Sequence, residues 1–115
     1  MTTKLQQGGF FVEKKMIDII ITDYGIHVRG HAEAGPKGQD IVCAAISALT
    51  QNLIYSLERL AEDKIKYGIE PGWVDINYWD LSDKGRLLIE SFFVGVKEVA
   101  ADHPDHVKLT RHECQ

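Results

Sequence analysis

From Asp40 to about Glu62, reaching at most Lys64, apolar residues recur three or four positions apart, at Val42, Ile46, Leu49, Leu53, Leu57 and Leu60. That spacing specifies a long helix with one apolar face. Ala44, Ala45 and Ala48 add helix propensity at almost no side-chain entropy cost, and this small-residue half allows close packing on a sheet or a partner helix. Asp40 is placed to cap the helix, its carboxylate accepting from the N–H groups of Val42 or Cys43.

The segments around it read as strands. Met16 to Ile21 is β-branched and apolar. Asp23, Tyr24 and Gly25 mark a tight turn, and Ile26 to Arg29 alternates, so Ile26 and Val28 face a core while His27 and Arg29 face out. Gly30 to Gln39, with Gly30, Gly35, Pro36 and Gly38, is a surface loop. Trp73 to Trp79 alternates again, with Lys64 to Ile69 as its partner strand. Ser82 or Asp83 caps a second helix with a main stripe at Leu88, Phe92, Val96 and Val99, which Pro104 ends. Val107 to Thr110 is a last short strand. The order ββ-α-ββ-α-β describes an α/β fold, α+β-like, as a single small domain with a mixed sheet and two main helices. The 115 residues leave little room for a second domain. Residues 16–110 are read as that domain, 1–15 as a flexible extension and 111–115 as a tail.

Charge and cysteine usage narrow the function classes. Thirteen basic and 17 acidic residues give a net charge of -4, which argues against broad nucleic-acid binding while leaving basic peptides open as substrates. No long uninterrupted apolar run predicts a membrane span, and the opening MTTKLQQGG lacks the pattern of a secretory signal. A cytoplasmic location is expected. Cys43 and Cys114 form no CxxC pair, and a disulfide between them is not expected there. His103, His106, His112 and Cys114 do not match structural zinc spacing. No metal or cofactor is implied.

The chemistry concentrates between Gly30 and Ser47. With Asp40 as cap, Cys43 is the third helical residue, where free N–H groups and the helix dipole favour a thiolate. His31 precedes the glycine-rich loop, which can fold back to bring imidazole and thiol together. Asp40 acts as a cap alone, orients His31, or restrains the thiolate. Ser47 lies one turn after Cys43 and bonds either to the catalytic pair or back to the helix. Gly30, Gly35 and Gly38 give the loop freedom to admit a peptide. Each of these residues also has a structural reading: an inert core thiol, a strand-end histidine, a plain N-cap. The glycines lack the spacing of a phosphate-binding loop. Trp73, Tyr78 and Trp79 either line a substrate groove or pack in the core or a dimer contact.

Gly30-His31-Ala32, the glycine-containing loop, then Gly38, Asp40-Ile41-Val42-Cys43-Ala44-Ala45 and Ser47 together resemble the ribosomal-processing cysteine protease family, Prp. The likeness continues more loosely through LLIESFFVGVKEVAADHPDHVKL. It implies a thiol endopeptidase with His31 and Cys43 as the catalytic pair and Asp40 and Ser47 in support. It also implies a homodimer that removes the N-terminal extension of a large-subunit ribosomal protein, or processes a phage structural protein. The stretch before Met16, the loop residues Pro36 and Lys37, and the short hairpin at Tyr24 and Gly25 depart from the family pattern without removing a catalytic group. Two other functions fit the same residues: a non-catalytic ribosome- or capsid-assembly protein of this fold, and a thiol redox or sensor protein.

Overall fold

The structure, a computed structural model, describes residues 16–30 and 37–112. The expected N-terminal extension, His31 and Gly35 lie outside the described residues. Seven elements follow the expected order: β1 (Ile17–Ile21), β2 (Gly25–Arg29), α1 (Lys37–Arg59), β3 (Ile65–Glu70), β4 (Trp73–Tyr78), α2 (Asp83–Asp102) and β5 (Val107–Arg111). They build one mixed sheet in the order β3-β4-β2-β1-β5. Every pairing is antiparallel except β1 with β5, which α2 makes parallel by carrying the chain back along the sheet.

Alternation decides which face of each strand meets the helices. Ile17, Ile19 and Ile21 of β1, Ile26 and Val28 of β2, and Ile76 and Tyr78 of β4 are buried. They pack against Val42, Ile46, Leu53, Ile54 and Leu57 of α1 and against Ile89, Phe92 and Val96 of α2. By length and composition, Ile41–Arg59 could cross a membrane, with a mean hydropathy of 1.3. In this fold it is the core helix.

The ends of α1 differ from the sequence expectation. The helix begins at Lys37, so Gly38 and Asp40 lie inside its first turn, and Asp40 does not stand ahead of it as a cap. One glycine near a helix end costs about 1 kcal/mol, which the packing of the long apolar stripe outweighs. The helix stops at Arg59, leaving Leu60 exposed. Glu62 takes the left-handed conformation (φ 57°), and the Asp63 N–H then reaches the Leu57 carbonyl at 3.0 Å. β5 includes Arg111, which the sequence assigned to the tail; its guanidinium pairs with Glu90 and lies 4.6 Å from the Phe93 ring centre.

Asp63 ties this turn to the second helix. Its carboxylate accepts from the Ser82 N–H at 3.2 Å and from the Ser82 hydroxyl at 3.0 Å. Ser82, the N-cap of α2, accepts in turn from the Gly85 N–H at 3.0 Å. A Cβ at Gly85 would overlap the Asp63 carboxylate, so the close approach requires glycine.

On the opposite sheet face the register sets His27 beside Asp75. His27 Nδ1 lies 2.6 Å from Asp75 Oδ1 and must carry the proton, because a carboxylate only accepts. Arg29 Nη2 lies 2.7 Å from the same oxygen, and the Arg29 guanidinium sits 5.2 Å from the Trp73 ring centre. Partial burial pushes the Asp75 carboxyl up, but the hydrogen bonds from His27 and Arg29 outweigh it and hold Asp75 below its ordinary value of 3.8.

Two predictions test these contacts. Ser82→Ala removes both the cap and the hydroxyl held by Asp63, and should lower unfolding free energy by about 1–2 kcal/mol in urea titrations. Because Asp75 is more acidic folded than unfolded, its contribution is present above the unfolded value and is lost as pH falls through the folded one. The urea midpoint of the wild type should therefore drop on acidification below 3.8, and Asp75→Asn should flatten that part of the curve while lowering the midpoint at neutral pH.

Candidate active site

The edge strand β3 is covered only in part, with Ile65 packed against the core. Its helix-side residues Tyr67 and Ile69 remain 43% and 47% exposed. Between α1 and this uncovered margin lies a cavity of about 520 Å³. Cys43, Ile46, Ser47, Thr50 and Gln51 of α1 form one wall; Ile69, Glu70, Pro71, Gly72 and Val74 of the β3–β4 hairpin form the other; Ile17, Val28 and Gly30 complete it.

Cys43 is a free, partly buried thiol on the α1 wall. Ser47, one turn further along, is exposed and lines the same cavity. Thr50 is buried and its hydroxyl donates back to the Ile46 carbonyl at 2.7 Å. The lining is otherwise mostly apolar, which suits a site that excludes water around a few polar groups. Because α1 starts at Lys37, Cys43 is its seventh residue and not its third. The N–H groups left free at the helix start belong to Lys37 through Gln39, and the dipole effect falls off beyond the first turn. The helix start therefore gives Cys43 less help than its expected third position implied.

Gly30 is the last described residue before His31. It holds φ +82°, and a Cβ there would stand 2.5 Å from the Met16 carbonyl oxygen. Its N–H donates to the Gly72 carbonyl at 2.9 Å, which joins the end of β2 to the β3–β4 turn at the cavity rim. Of the expected access glycines, Gly30 lines the cavity, Gly38 belongs to α1, and Gly35 lies outside the described residues. The aromatic residues of β4 and its end do not line the cavity. Tyr78 is buried and donates its hydroxyl to the Thr22 carbonyl, Trp73 sits under Arg29, and Trp79 is exposed past the far end of β4. Sequence reasoning missed Thr50 and Gln51, although their helical spacing from Cys43 and Ser47 was the available signal. Among the described residues, no group of three or more His, Cys, Asp or Glu side chains is arranged to hold a metal.

Gly30→Ala should strain the backbone and crowd Met16. A loss of about 1–3 kcal/mol in unfolding free energy is expected by chemical denaturation, larger than for an ordinary exposed substitution.

Residues 16–108 match the family model described as cysteine protease Prp. The ribosomal processing cysteine protease Prp of Staphylococcus aureus is 26% identical over 100 residues, covering 81% of this chain and 94% of that protein. The Bacillus subtilis protein of the same name is 28% identical over 88 residues, covering 70% and 79%. Among solved structures, SMU.848 from Streptococcus mutans superposes with a TM-score of 0.75 at 29% identity, covering 87% of this chain and 97% of that one. The S. aureus Prp crystallised with a substrate peptide superposes with a TM-score of 0.74 at 21% identity, covering 84% and 98%, a likeness of fold. With the free thiol of Cys43 on the wall of a mostly apolar cavity in this fold, the chain belongs to the Prp family of cysteine proteases.

Proposed function

We propose that this protease removes the N-terminal extension of a large-subunit ribosomal protein, using Cys43 as nucleophile and His31 as general acid and base. The observation that carries the reading is the placement of the Cys43 thiol in the wall of a mostly apolar cavity of about 520 Å³, beside the strand end that leads into His31. The S. aureus and B. subtilis relatives, named for ribosomal processing, supply the substrate class. The Cys43 thiolate attacks the scissile carbonyl, His31 protonates the leaving amine, and His31 then activates water to release the acyl group. Ser47, on the same wall one turn on, and Asp40, in the first turn, support the pair. A thiol redox or sensor protein, the other reading, would react at Cys43 while leaving the peptide uncut.

The working unit is a homodimer in the cytoplasm, where a ribosomal substrate is made. Leu87 and Val94, one above the other on α2, are 70% and 61% exposed and offer an apolar surface for a second copy. Multi-angle light scattering at micromolar concentration should return twice the chain mass, and a monomer alone would refute the dimer.

Intact-mass analysis of an N-terminally extended ribosomal protein incubated with this enzyme should show one defined cut. Cys43→Ala and His31→Ala should each lower the cleavage rate by about 10³-fold or more. Cleavage by Cys43→Ala at the wild-type rate would overturn the mechanism, and a binding-only assembly role would leave the substrate intact in every lane.

A further inference from the structure

A peptide entering this cavity brings backbone N–H and C=O groups into mostly apolar surroundings, and each must find a partner. The opposite wall offers little for this from its side chains: Ile69, Pro71 and Val74 are apolar, and Glu70 only accepts. On the α1 wall, Thr50 already donates its hydroxyl within the helix. Ser47 stands one turn from Cys43. One further polar side chain lines the wall, Gln51, which is exposed and shows no side-chain hydrogen bond among the described residues. Its amide carries an acceptor and two donors, so it can pair with a peptide N–H and a peptide C=O together, whatever the substrate side chain.

Cys43, Ser47 and Gln51 follow one another at intervals of four on the helix and face one cavity. Gln51 lies eight residues beyond Cys43, about 12 Å along the helix axis. An extended peptide advances about 3.3 Å per residue, so this distance corresponds to about three or four substrate residues. We propose that Gln51 binds the substrate backbone about three to four residues from the scissile bond, aligning an extended peptide along α1 so that its scissile carbonyl meets Cys43. This assignment rests on the protease reading. It adds a sequence-independent contact that makes the enzyme require an extended segment of minimum length.

Steady-state kinetics on a peptide spanning the processed N-terminus test it. Gln51→Ala should raise KM about five- to tenfold while kcat changes less than about twofold, the scale of one or two neutral hydrogen bonds used for binding. Gln51→Glu, which keeps an acceptor and loses the donors, should fall between. N-methylation of one substrate amide three or four residues from the scissile bond should raise the wild-type KM by a similar factor and add nothing in Gln51→Ala. An unchanged KM for Gln51→Ala, or losses that simply add when variant and methylated peptide are combined, would overturn the assignment with the protease reading intact. Failure of the wild type to cut the unmodified peptide would overturn that reading and the assignment with it.

Discussion

The burial of the α1 stripe against β1, β2 and β4 is the contact on which the rest of the structure depends. Val42, Ile46, Leu53, Ile54 and Leu57 are each nearly inaccessible to water. At about 1.5–3 kcal/mol per large side chain, their burial contributes on the order of 10 kcal/mol, comparable with the whole net stability of a small domain. The helix cannot shift or tilt far without giving up that contribution. Cys43, Ser47 and Gln51 flank the same stripe, so the packing that holds the fold also fixes the wall of the cavity. The cavity lies between that helix and the β3–β4 hairpin, where Ile69 is left partly exposed.

A second constraint closes the site from the sheet side. The end of β2 must turn away between the Met16 carbonyl and the Gly72 carbonyl, and only a residue without Cβ fits there. Arg29, the residue before it, donates to the Val74 carbonyl at 3.1 Å and pairs with Asp75. The strand that delivers the chain to His31 is thus held by backbone and side-chain bonds to β4 and its turn. A strand end held in this way suits the role proposed for the residue that follows Gly30, since small errors in the approach geometry of acid and nucleophile cost rate steeply.

Much of the fold was legible because its signals are local. Alternation at Ile26–Val28, the apolar period of α1 and the cap of α2 each depend on neighbours in the sequence; the first two appear where expected, and of the two expected caps, Ser82 and Asp83, the structure takes Ser82. The start of α1 was misplaced because Gly38 and Pro36 read as loop residues and Asp40 as a cap, whereas the helix begins one turn earlier, at Lys37. The Asp63–Ser82 tie and the His27–Asp75–Arg29 cluster join residues far apart in the chain. Only the strand register brings the cluster together, and no spacing rule announces it. At the site, Cys43 and Ser47, singled out in the sequence by their chemistry, both line the cavity. The sequence reading passed over Gln51, which lines the cavity only because the fold sets the β3–β4 hairpin opposite that part of α1.

The central claim is that the thiol of Cys43 performs the peptide cleavage. Limited alkylation with iodoacetamide, mapped by peptide mass spectrometry and run with and without substrate peptide, tests it directly. Loss of cleavage should track modification of Cys43 and not of Cys114, and substrate should slow both together. Full cleavage activity in protein alkylated at Cys43 would contradict the account.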